Sequence, residues 1–164
     1  MARRAQGGPS AVDGWMQLAT RFLARRDRTV AQVERFLRSK GALPLQITQT
    51  IHRLSDLRYL DDQAYAHRWV ERKLRVRPVG PDRMKAELQA QGIAEPVVNQ
   101  VIAAMFREVD EERLARRVLQ AKQRHGDRLT LAQSVRFLRQ RGFHEETIDR
   151  IVMVAGDSDE GLDS

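Results

Sequence analysis

Seven cations crowd residues 67–85: Arg68, Arg72, Lys73, Arg75, Arg77, Arg83 and Lys85, against Glu71 and Asp82. A guanidinium is a planar fork of N–H donors that meets a phosphate or carboxylate in two parallel bonds, whereas an ammonium acts as a point charge. Arg68, Arg72 and Arg75 follow i, i+4, i+7, so a helix lines them along one side while Trp69 and Leu74 face elsewhere. A second concentration comprises Arg113, Arg116, Arg117, Lys122, Arg124 and Arg128, followed by Arg136 and Arg139. Such rows bind phosphates or an acidic protein surface, and spacing alone does not choose between them.

The net charge points the same way. The chain of 164 residues carries a formal +7, and 25 of its 29 cations are Arg. Asp157, Asp159, Glu160 and Asp163 lie in a tail without Lys or Arg, so residues 1–155 hold 29 basic against 18 acidic side chains. That excess invites an anionic partner. The aromatics fall mostly on buried stripes, so any direct DNA binding should be electrostatic rather than a stacking platform.

Catalytic chemistry finds less footing. No phosphate-cradling glycine loop, nucleophile elbow or zinc-binding His pair occurs. Zero Cys excludes thiolate metal sites, Cys nucleophiles and disulfides. Asp61-Asp62 and Glu111-Glu112 could furnish a two-metal nuclease, but each pair stands at an expected helix start, where free amides and the helix dipole already favour acids. His52, His67, His125 and His144 are scattered. The basic start leads into Gly7-Gly8-Pro9-Ser10 rather than an apolar signal core, and the run Ile151–Ala155 is far short of the ~18–20 residues of a membrane span. A cytoplasmic, non-enzymatic protein without cofactor, metal or membrane association is expected.

The elements that position these cations come from a repeat. Gly41, Gly92 and Gly142 lie 51 and 50 residues apart; Leu37, Leu88 and Leu138 come four residues before, and Ile47, Val98 and Ile148 six after. Each unit reads as three helices. The stripe Trp15, Leu18, Ala19, Phe22, Leu23 has helical period, as do Ala66, Trp69, Val70, Leu74 and Leu114, Val118, Leu119. Twelve residues before the glycine, Thr29 and Thr130 are each followed three places later by Gln, a capping box. In the second unit Gly80-Pro81 starts the same helix by another route. The repeat glycine ends it in the left-handed conformation, and a third helix restarts at Pro44, Glu95-Pro96 and Glu145-Glu146. Between the first two units, Asp61 suits an N-cap, with Leu60 and Tyr65 placed for a hydrophobic staple.

An all-α fold is therefore expected, with three tandem three-helix repeats at 13–57, 58–108 and 109–155 forming an elongated, curved helical array. A flexible segment, 1–12, and an acidic disordered tail, 156–164, would flank it. The repeated helix–turn–helix outline also allows a direct DNA reader, although Ile47, Val98 and Ile148 begin buried stripes where a reader helix should be polar.

Tyr59-Leu60-Asp61-Asp62-Gln63-Ala64-Tyr65-Ala66, the basic helix after it, Gly80, and Glu87-Leu88-x-x-x-Gly92-Ile93 resemble the RecX family of bacterial recombinase regulators, over about residues 15–155. The resemblance implies a monomeric inhibitor that binds the groove of the RecA filament on single-stranded DNA, and double-stranded DNA weakly. ATP hydrolysis, strand exchange and filament growth would fall. It implies no catalytic residue; the two basic concentrations are the expected contact surface.

Overall fold

The computed structural model describes residues 11–124 and 128–159. Among them the chain forms nine helices: α1 (Ala11–Leu23), α2 (Val30–Ser39), α3 (Pro44–Asp56), α4 (Asp62–Val76), α5 (Pro81–Ala90), α6 (Glu95–Met105), α7 (Glu111–Arg124), α8 (Leu131–Gln140) and α9 (Glu145–Asp159). No strand occurs among the described residues. The all-α reading and the three helix trios hold. Two boundaries differ from expectation: residues 11 and 12 open α1, and residues 156–159 complete α9. The remainder of the two terminal segments, and His125, lie outside the described residues.

Helix starts follow their caps. Thr29 Oγ1 accepts from Gln32 N at 3.3 Å while Gln32 Oε1 accepts from Thr29 N, and Thr130 and Gln133 repeat the exchange. The three repeat glycines have φ of 92°, 85° and 78°, a region in which a Cβ is strained. Behind two of them the chain folds back identically: Ala42 N donates to Leu37 O and Phe143 N to Leu138 O. These 6→1 bonds satisfy carbonyls that the helix end would orphan.

Contacts divide the chain into two compact units. The first comprises residues up to Tyr65 together with Gln91–Ile93. Its core holds Ala19, Val33, Leu37, Ala42, Ile47, Leu54 and Leu60, with Trp15, Phe22, Leu23 and Ile51 packed against it. Beside it, Phe22 and Phe36 stack at 4.0 Å, with Arg28 over the first ring and Lys40 over the second. The second unit comprises Ala66–Ala90 and the residues from Ala94 onward. There Leu114, Ala115, Val118, Leu119, Leu138, Phe143 and Ile148 form one cluster, and Ala66, Val70, Met84, Leu88, Val98 and Ile102 are also buried.

Between the first two trios Tyr59 is 58% exposed, whereas Leu60 is buried. No helix of the described residues is long and apolar enough to cross a membrane.

Candidate nucleoprotein interface

Four cations of the second unit converge on one groove. The end of α4 supplies Lys73 and, one residue beyond it, Arg77; α5 supplies Arg83; the turn after α8 supplies Arg141. Val79, Glu87, Phe137 and Gln140 complete a cavity of about 430 Å³. The convergence rests on two glycines. Gly80 N donates to Arg141 O at 2.8 Å and Asp82 N to Gly142 O at 3.1 Å, so the α8 turn lies directly on the start of α5.

Within the groove, Glu87 fixes two of the cations. Lys73 Nζ donates to Glu87 Oε2 at 2.5 Å and Arg83 Nε to Glu87 Oε1 at 3.1 Å. Burial alone would raise the Glu87 carboxyl, but these hydrogen bonds and charges outweigh it and hold the group below its ordinary value. Arg83 Nη1 also donates to Gln140 O, and Lys73 lies over the Trp69 ring. Arg77 and Arg141 have no carboxylate partner among the described residues; Arg141 lies over Phe137, 4.9 Å from the ring centre. Four cations against one carboxylate make this groove an attractor of anions.

A second groove has a different balance. Arg75, Arg113 and Arg117 line it with Glu71, Glu108 and Asp110 around Leu74, Val109 and Leu114. Arg117 Nη2 donates to Leu74 O at 3.2 Å, tying α7 to α4. Three cations facing three carboxylates over an apolar floor suit a protein surface better than a phosphate chain. Arg116 is held by Glu112 at 2.6 Å and lines a further hollow with Arg113 and Arg117.

The expected contact residues therefore separate. Lys73, Arg77 and Arg83 meet in the first groove, and Arg75, Arg113 and Arg117 in the second. Arg68 and Arg72 are exposed on α4, and Lys122 and Arg124 at the end of α7; none of the four lines either groove, nor does Lys85, which faces Asp82 at 3.8 Å. Arg141 and Phe137 were not among the expected site residues. Arg141 stands immediately before a repeat glycine, where sequence alone reads a helix cap.

Each carboxylate of the nuclease alternative has a hydrogen-bond or ion-pair partner within the fold. Asp61 Oδ1 accepts from Ala64 N at 2.9 Å, capping α4, and Asp62 Oδ1 accepts from Val30 N at 2.9 Å. Burial pushes the Asp62 carboxyl up, with the Val30 N–H opposing and the charges of Asp61 and Glu34 adding to the rise. Glu111 accepts from His144 N at 2.8 Å and meets the same residue's Nδ1 at 2.9 Å; His144 Nε2 lies 3.2 Å from Asp82. Glu112 holds Arg116. Among the described residues no three His, Asp or Glu side chains are grouped to hold a metal ion.

Comparison with known proteins accords with this architecture. Residues 16–54 match the family model described as RecX, first three-helix domain, and residues 61–102 the one described as RecX, second three-helix domain. A regulatory protein RecX of Leuconostoc citreum (strain KM20) is 31% identical over 142 residues, covering 84% of this chain and 53% of that protein. One of Bacillus pumilus (strain SAFR-032) is 27% identical over 153 residues, covering 92% and 58%. The chain thus spans about half the length of these curated relatives. In fold it is similar to the crystal structure of RecX from Lactobacillus salivarius, with a TM-score of 0.74 at 23% identity over 87% of this chain and 94% of that one. A second crystal structure, of regulatory protein RecX, gives 0.69 at 18% identity, over 84% and 70%. With the first and second RecX three-helix domains both matched, in that order along the sequence, the chain belongs to the RecX family.

Proposed function

We propose that this protein is a cytoplasmic, non-catalytic regulator that binds the RecA filament on single-stranded DNA and lowers its ATP hydrolysis, strand exchange and growth. The observation that carries this reading is the groove of Lys73, Arg77, Arg83 and Arg141, where two guanidinium groups have no carboxylate partner among the described residues and the other two cations are oriented by Glu87. Phosphates of the filament's DNA are the anions suited to it. The mixed-charge groove around Arg75, Arg113 and Arg117 supports contact with the recombinase itself. A ligand that combines nucleic acid and protein meets both requirements at once, which naked DNA does not.

Cosedimentation separates the two ligands. At moderate salt the protein should pellet with RecA filaments on single-stranded DNA and remain in solution with the DNA alone. Equal affinity for both, with about 0.7 log units lost per log salt for each phosphate contacted, would instead identify a direct DNA binder.

A further inference from the structure

Phosphate contact accounts for the cations of the Lys73, Arg77, Arg83 and Arg141 groove but not for the space they enclose. Exposed cations along one helix face are enough to track a phosphate chain. Here they stand around a cavity of about 430 Å³, and Phe137 and Val79 form part of its wall. That volume falls within the ~300–1,000 Å³ of small-ligand pockets and exceeds what a phosphate group fills.

Phe137 has two surroundings. It is half-buried and packs at the margin of the core of Leu114, Leu138 and Ile148, and it also lines the groove. Arg141, one helical turn later, lies over that ring with Cζ 4.9 Å from its centre. Glu87 holds Lys73 and Arg83, whereas the Arg141 guanidinium has no carboxylate partner among the described residues. Its charge is therefore uncompensated within the groove. Contact with the ring also steadies a planar group that would otherwise sample many rotamers.

We propose that the groove receives one unstacked base of single-stranded DNA, laid on the Arg141 guanidinium, while Lys73, Arg77 and Arg83 meet the phosphates on either side. The inference rests on reading this groove as the contact for the filament's DNA, and it adds to that reading a reason for strand selectivity. Bases stack on the plane of an arginine as they do on an aromatic ring, and the charge strengthens the contact. In a duplex both faces of each base are covered by its neighbours, so a paired strand offers this groove phosphates alone. A lysine at position 141 would keep the charge and lose the plane.

Fluorescence anisotropy of labelled oligonucleotides at low salt tests this on the full chain, wild type and Arg141→Lys. The ligands are an ordinary single strand, an abasic single strand of equal length and a duplex. Arg141 joins the turn after α8 through its backbone N–H and carbonyl, so the substitution should leave helicity unchanged. Arg141→Lys should bind the ordinary strand at least ~5-fold more weakly and the abasic strand and duplex as the wild type does. The salt slope on the ordinary strand should stay the same, because the phosphates met are the same. An equal loss on all three ligands, no loss on the ordinary strand, or a wild type that binds neither single strand would each overturn the proposal. No recombinase is present in this assay, so the RecA reading is decided separately, by cosedimentation with filaments.

Discussion

The Gly80 amide donates to the Arg141 carbonyl at 2.8 Å, so closely that a Cβ on Gly80 would sit 2.1 Å from the carbonyl oxygen of Gly142. Two turns separated by some sixty residues thus touch through backbone alone. This contact carries Arg141 and Phe137 to the groove that Lys73, Arg77 and Arg83 line from the other side.

The repeat glycines should therefore differ sharply in tolerance. Gly142→Ala combines left-handed strain with a collision against the Arg83 backbone, 2.3 Å away, and should lose about 2–4 kcal/mol in urea unfolding. Gly80→Ala should fall in the same range from collision alone. Gly41→Ala meets open space and should lose only the conformational term, about 1–2 kcal/mol. Equal losses at Gly41 and Gly142 would contradict the junction.

The two threonine caps should separate in the same manner. Thr130→Ala removes an exposed capping bond and should cost about 1 kcal/mol. At Thr29 the side chain is buried and also donates to Gln91 O, so Thr29→Ala should cost about 2–3 kcal/mol. Thermal denaturation of both variants provides the comparison, with Thr29→Ser expected to recover most of the loss.

Glu87 and Asp62 should titrate in opposite senses. Glu87 is held below its ordinary 4.5, so the stability from pairing Lys73 and Arg83 is fully present above that pH and is lost as pH falls through the lowered folded value. Asp62 is raised above its ordinary 3.8, so its ionisation costs stability as pH climbs through the interval above 3.8. Melting curves between pH 3 and 7 should show Glu87→Gln flattening the acid-side loss. Asp62→Asn retains an acceptor for Val30 N and should be nearly neutral at pH 7, whereas Asp62→Ala, which orphans that amide, should destabilise.

What sequence disclosed here was local. Capping boxes, left-handed glycines and helical stripes act within about ten residues, and Thr29, Gly92 and Leu138 each behave as their neighbours dictate. Residues 156–159 read as tail because the stretch is acidic and carries no Lys or Arg, yet α9 includes them. The grooves were less legible. Arg68, Arg72 and Arg75 form a row on α4, but a site requires walls, and those come from α5, α7 and α8. Arg141 entered the groove only because two glycines let distant backbones meet.

The most direct test of a RecA-regulating role is the ATPase rate of RecA on single-stranded DNA with substoichiometric amounts of this protein, either wild type or carrying Arg77→Glu and Arg141→Glu. Neither guanidinium has a carboxylate partner among the described residues, so the doubly reversed variant should fold, and its helicity is the control. Wild type should suppress hydrolysis, and the variant should need at least ~10-fold more protein for equal suppression. A folded wild type that leaves hydrolysis unchanged would contradict the regulatory reading, and a variant as potent as the wild type would contradict the groove as its contact surface.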